Sequence, residues 1–183
     1  LRLDREIETI DGTGFCTTPV FDGTDLAAAL NLDVQLNVKV EIDSVGGSHK
    51  ARHLFGVALH LALGTAAQDV SSRPLAIASC GNAAIAAAIV AKAVKRPIEV
   101  FVPIWAEKAA LALLQELGAQ IQVCEPAASE KGDPCYSRFR EAVSNGSHPF
   151  GVQGTDTPTA FDGGRTLGWE LGDQVPNLEA AFV

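Results

Sequence analysis

A chain of 183 residues with 47% hydrophobic and 20% charged residues is long and apolar enough to bury the core of one domain or of two lobes. That composition excludes a disordered or fibrous protein. A net charge of -8, with the few cations scattered, argues against nucleic acid as a partner.

Cys16, Cys80, Cys124 and Cys135 show no CxxC spacing, and no secretory segment precedes them, so neither a disulfide framework nor a metal knuckle is expected. The longest apolar run, around Ala83 to Val94, is shorter than the ~20 residues of a bilayer span, which points to a soluble, cytoplasmic protein with no membrane segment. The chain contains no methionine and stops inside the apolar run Ala180-Ala181-Phe182-Val183, so it reads as a piece of something longer.

Residues 1 to 25 carry Gly12, Gly14, Pro19 and Gly23 with little periodicity and predict irregular entry structure with one short strand at most. Leu26 to Leu30 predicts a short helix. Val34 to Ile42 alternates apolar and polar side chains for nine residues, the period of a half-buried strand. That strand leads into Gly46-Gly47-Ser48-His49-Lys50. Beyond it Leu54, Val57, Ala58, Leu61 and Ala62 recur at helical spacing, predicting a helix from near His49 to Leu63 that stops at Gly64.

The next segment repeats one unit. Strands are predicted at Leu75 to Ala78, Ile98 to Val102, Gln120 to Cys124 and Pro149 to Val152. Between them fall helices at about Ala83 to Val94, Glu107 to Leu117 and Pro134 to Ser144, the last capped by Asp133. Strands alternating with helices of this length mean βαβ units and a parallel sheet. A turn over Thr155 to Thr159, a helix over Ala160 to Asp173 and a new strand from Leu178 follow. The expected organisation is therefore 1–71 as the first part of a large lobe, 72–154 as a small α/β lobe, and 155–183 as the return to the large lobe, cut short.

Two stretches carry chemistry. Glycines let the backbone turn sharply before Lys50, and a lysine that is partly desolvated or set beside other cations becomes able to form a Schiff base with a carbonyl. Taken alone, the same stretch is equally a turn with an N-cap and a solvated lysine. Ser79-Cys80-Gly81-Asn82 falls at the carboxyl end of a parallel strand, where open sheets bind ligands, and offers hydroxyl, thiol, amide and backbone N–H groups to an anion. On its own it is equally a capped βα turn. His49 and His53 have the i, i+4 spacing of metal ligands but lack a third, so no metal is expected. Cys80 has no identifiable partner as a nucleophile, and Trp105 and Trp169 read as packing residues. Glu107, Lys108 and Glu116 read as a solvated helix face, and Glu130-Lys131-Gly132-Asp133 as a loop that a lid could use.

Gly47-Ser48-His49-Lys50-Ala51-Arg52, followed about 30 residues on by Ala78-Ser79-Cys80-Gly81-Asn82-Ala83-Ala84, resembles the pyridoxal-phosphate enzymes of the tryptophan synthase β-chain family. That family includes threonine synthase, cysteine synthase and the serine/threonine dehydratases. Gly118-Ala119 and Asp162-Gly163-Gly164-Arg165-Thr166 leading to Glu170 are further matches, so the resemblance runs from about residue 15 to the end. It implies fold type II: α/β, with two open parallel or mixed sheets flanked by helices and the large lobe only partly present.

By that resemblance Lys50 is the Schiff-base lysine and moves the substrate's Cα proton. Asn82 braces the pyridoxal 5'-phosphate ring, and Ser48 belongs to the cofactor site. Ser79, Cys80, Gly81 and Ala83 receive the substrate carboxylate, and Arg52 is a structural or phosphate-side cation. His49, Cys80 and Ala83 depart from the residues common at these positions. The implied activity is β- or γ-elimination or replacement on a small amino acid, most like threonine synthase or a serine/threonine dehydratase-type lyase, in a homodimer. The alternative is a non-catalytic relative or fragment acting as a binding or regulatory module, since the family's phosphate loop would lie beyond Val183.

Overall fold

The computed structural model describes residues 2–64, 73–126 and 132–182. The chain opens with α1 (Arg2–Asp11), β1 (Val20–Asp22), α2 (Thr24–Ala29), β2 (Asn37–Lys39), a 3-10 turn (Val45–Gly47) and α3 (Lys50–Gly64). It continues through β3 (Leu75–Ala78), α4 (Asn82–Ala93), β4 (Ile98–Pro103), α5 (Lys108–Glu116), β5 (Gln120–Cys124), α6 (Pro134–Ser144), β6 (His148–Pro149) and α7 (Ala160–Gln174).

Strands β3 to β6 form one parallel sheet in the order β5-β4-β3-β6. Its two faces follow from side-chain alternation. Leu75, Ile77, Val100 and Val102 face the larger core with α4 and α5, while Ala76, Phe101 and Cys124 face Cys135 and Phe139 of α6. The alanines of α4 are its packing surface: Ala84, Ala86, Ala87, Ala88 and Ala91 are buried, which lets α1, α3 and the 3-10 turn lie close on the outer side of the same helix.

The α/β alternation and the parallel sheet are as the sequence predicts, and β3, β5 and α6 have the predicted limits. Asp133 caps α6 by accepting from the Cys135 N–H at 2.8 Å.

Other elements differ. Residues 2–11 are helical rather than irregular, because Leu3, Ile7 and Ile10 make an apolar stripe that reaches the main core, with Ile7 fully buried. The strand expected over Val34 to Ile42 is paired only at residues 37–39, since its antiparallel partner β1 is three residues long. The second sheet is therefore a two-stranded antiparallel ribbon. No strand forms over residues 178–182, and Phe182 is almost wholly exposed. Trp105 and Trp169, expected to pack, are largely exposed.

α3 crosses α7 at a point where only glycine fits on either helix. A Cβ on Gly163 would sit 1.9 Å from the Arg52 carbonyl oxygen, and one on Gly56 would sit 2.6 Å from the Gly163 nitrogen. Residues 50–64 thus pack closely against residues 160–174. The boundary at 71 and 72, like Glu130 and Lys131 of the expected loop, lies outside the described residues. One core cluster nonetheless joins Val45, Leu54 and Val57 to Leu75, Ile77 and Ile89.

Candidate active site

The turn before Lys50 is built from backbone conformations that suit glycine: Gly46 has φ 66° and Gly47 φ 70°. A Cβ on Gly46 would be 3.4 Å from Ala86 and from Ile89 Cδ1, so the turn seats directly on α4. In this way the turn of the first motif packs on α4, the helix that the second motif opens.

Ser48 is buried in extended backbone, and its Oγ accepts from the Lys50 N–H at 3.4 Å, at the head of α3. Lys50 is half-buried, and its Nζ makes no hydrogen bond or ion pair among the described residues. His49 and His53 flank it, with ring centroids 5.9 Å apart. Burial pushes both imidazoles below the usual histidine range, and the Lys50 ammonium adds to the shift.

Ser79 begins its loop immediately after β3, its N–H still bonded to the Phe101 carbonyl at 3.2 Å. α4 then starts at Asn82 with no side chain capping it, so first-turn N–H groups point outward beside Ser79, Cys80 and Gly81. Asn82 is exposed, and its amide has no partner among the described residues. Ala83 and Cys80 are half-buried, packed against the main core. An uncommitted carboxamide and a bare helix N-terminus thus lie where β3 ends, while the Lys50 amine stands at the head of α3, on the turn that packs against α4.

Arg52, by contrast, is fully committed. Its guanidinium reaches Glu41 at 2.8 and 3.0 Å and Glu170 at 2.6 and 3.1 Å, with Thr166 and Thr18 completing the set. Lys39 binds Glu170 at 2.7 Å, and the Thr18 hydroxyl bonds Glu41. Burial alone would push the Glu170 carboxyl up, but hydrogen bonds from Arg52, Lys39 and the Thr18 N–H hold it at about 2. Arg52 is therefore the structural cation of the two alternatives, tying β2, α3 and α7 together. The motif spacing shows Arg52 and Glu170 individually. Their pairing, and the part played by Lys39, Glu41 and Thr18, had no signal in the sequence.

Among the remaining expectations, His60 pairs with Asp162 at 2.9 Å, and Glu107, Lys108 and Glu116 are exposed. Burial, reinforced by neighbouring Cys124, drives the Cys135 thiol up to about 12, so it is held protonated at neutral pH. A cavity of about 680 Å³ between α3 and α7 is lined by Phe55, Leu59, Leu63 and Trp169 but by neither Lys50 nor Asn82. A smaller one, of about 280 Å³, opens at the ends of β3 and β6 next to the Ser79 loop.

His53 gives a pH prediction. Its Nδ1 lies 3.1 Å from the Ala160 carbonyl, and its ring fills the space beside Gly164. Because the folded pKa lies below the unfolded value of 6.5, the unfolded chain takes up a proton first on acidification. The contribution is therefore present above about pH 6.5 and is lost as the pH falls towards the folded value. Urea midpoints at about pH 7.5 and about pH 5.5 should show this loss, and His53→Gln should reduce it.

A parallel sheet with α4 and α5 on one face and α6 on the other defines an open-sheet α/β protein. The chain belongs to the family of pyridoxal-phosphate dependent enzymes, whose model matches residues 13–183. It is 30% identical over 171 residues to a phenylserine dehydratase of Ralstonia pickettii, covering 91% of this chain and 47% of that protein.

Among solved structures, a pyridoxal 5'-phosphate-dependent aspartate racemase superposes with a TM-score of 0.73 at 23% identity, covering 97% of this chain and 52% of that one. The serine racemase of Dictyostelium discoideum gives 0.72 at 20% identity, covering 97% and 54%. These structures share the fold, and this chain spans about half the length of the relatives it matches. Pyridoxal 5'-phosphate is the cofactor, and the residues present fit it. The Lys50 amine, with no partner among the described residues, suits its aldehyde, and the Asn82 amide, likewise uncommitted among them, suits its ring oxygen.

Proposed function

We propose that the protein catalyses β-elimination from a small amino acid, as a dehydratase-type lyase. The observation that carries this is the half-buried amine of Lys50, without a partner among the described residues, at the head of α3 on the turn that seats against α4. Pyridoxal 5'-phosphate, when bound, supplies the electron sink that makes a Cα proton removable.

The chain's own residues do the rest. The Ser79 to Ala83 loop and the first N–H groups of α4 bind the substrate carboxylate and fix the orientation of Cα. Lys50 would be the residue that holds the cofactor, and its amine would accept the Cα proton of the bound substrate. Neutral His49 and His53 keep further cationic charge away from that amine. Asn82 braces the ring, and Ser48 holds the turn that aims Lys50. Dehydration, rather than replacement, is supported by the relative named as a phenylserine dehydratase.

Borohydride reduction of the cofactor-loaded protein, followed by peptide mass analysis, should find the pyridoxyl adduct on Lys50. Lys50→Ala should lose both the adduct and the visible absorption band. A full-length protein with no adduct at Lys50 would refute the enzyme reading and leave a binding module.

A further inference from the structure

The smaller cavity lies at a particular place in the sheet. From β3 the chain moves outward through β4 to β5 and then returns by α6 to place β6 on the other side of β3. Helices α4 and α5 cover one face and α6 the other. The chain therefore reverses its direction of winding between β3 and β6, and the crevice outside their carboxyl ends is where an open sheet takes a ligand. Ile77 and Ala78, at the end of β3, form the floor of the cavity. Ala78 is joined directly to Ser79, the first residue of the proposed carboxylate loop, so the cavity begins one residue before that loop.

The walls are apolar below and acidic above. Tyr136 and Phe139 stack with centroids 5.8 Å apart. Asp156, Gln153 and Thr155 come from the segment after β6, and Asp133 from the cap of α6. The Tyr136 hydroxyl donates to Asp156 at 3.1 Å, leaving that carboxylate further acceptor capacity. No Lys, Arg or His is among the lining residues described. Arg140, largely exposed behind Tyr136, reaches Asp156 at 3.8 Å. Two carboxylates against one guanidinium leave the pocket with an excess of negative charge.

The geometry points to this cavity as the pocket for the substrate's side chain, with Asp156 and Asp133 selecting neutral side chains and rejecting those that carry a carboxylate or phosphate. This deepens the proposed function and rests on its reading of residues 79–83. A space of about 280 Å³ exceeds the ~150 Å³ that holds a benzene ring, so it admits side chains up to an aryl group. Like charges brought together at a site with reduced solvent suppress the wrong ligand more than they favour the right one.

The test compares L-threonine with L-threo-3-hydroxyaspartate, which keeps the β-hydroxyl and exchanges a methyl for a carboxylate. Binding to the full-length holoenzyme is followed by calorimetry and by the KM and kcat of each. The neutral compound should be preferred by about tenfold or more, through KM. Asp156→Asn should narrow that preference several-fold. Gln153→Lys, at an exposed position that leaves folding intact, should narrow or invert it.

An unchanged ratio in both variants, with Lys50 still labelled by borohydride, overturns the pocket assignment and leaves the proposed function standing. An absent Lys50 adduct overturns the proposed function, and the ratio of the two binding constants still decides the pocket.

Discussion

Arg52→Met is expected to destabilise the protein by about 3–5 kcal/mol, because it removes one member of a buried ionic cluster and strands the others. The methionine keeps much of the side-chain volume, so the loss reports charge rather than a cavity. Glu41 and Glu170, each held by two bonds from the guanidinium, would be left facing each other with only Lys39 and Thr18 for compensation.

The pH dependence has a definite sign. In the parent the Glu170 carboxyl falls from 4.5 to about 2 on folding, so its contribution, on the order of 3 kcal/mol, is present above about pH 4.5 and is lost as the pH falls through about 2. In Arg52→Met burial is less opposed, the folded pKa rises, and acid unfolding should begin at higher pH. Denaturant melts across the acid range measure both effects. An unchanged urea midpoint would show that the cluster is not coupled to global stability.

Gly163→Ala should be comparably damaging. Its Cβ would be placed 1.9 Å from the carbonyl oxygen of Arg52, a backbone atom that cannot swing aside. To accept it α3 and α7 must separate, which withdraws Arg52 from Glu170 and shifts the helix that begins with Lys50. The expected cost is about 3 kcal/mol or more, at the upper end for an overpacked site.

Gly168→Ala, further along the same helix with no atom within 4 Å of the new Cβ, should instead stabilise by about 0.5–1 kcal/mol. Circular-dichroism melts of the two variants side by side separate a helix-propensity effect from a helix-contact effect. Equal and opposite shifts are not required, but a stabilising Gly163→Ala would contradict the close crossing.

The parts of the molecule that were legible before the structure share one property, which is that they depend on near neighbours in the chain. Periodicity located α4, α5 and α6, the short apolar run at 75–78 reads as a buried strand, and the alternating run at 120–124 as a strand, which the structure shows to be largely exposed. The glycine pair before Lys50 announced a turn, and the structure shows the two left-handed residues that require it. α1 was also written in its sequence, as Leu3, Ile7 and Ile10, but the charged residues between them mask the stripe until a core is there to receive it.

What escaped was decided by contacts distant in sequence. Nothing in the run from Val34 to Ile42 says that its partner will be three residues long, and nothing in Thr18, Lys39, Glu41, Arg52 and Glu170 says that they will share one ionic cluster. Likewise Tyr136, Gln153 and Asp156 look like ordinary helix and loop residues until the reversal of winding at β3 and β6 brings them to one crevice.

Local pattern is therefore enough for the α/β class and for the two motifs, because φ/ψ preference and side-chain period act over a few residues, while Lys50 stands out only through the family resemblance the motifs carry. Tertiary structure alone decides that Arg52 is a structural cation, that Lys50 has no partner among the described residues while Arg52 is saturated, and that an acidic pocket begins beside Ser79. Each of these is a matter of which charges and hydrogen-bond groups lie within a few ångströms after folding, and Coulomb and hydrogen-bond energies depend on that distance and not on separation along the chain.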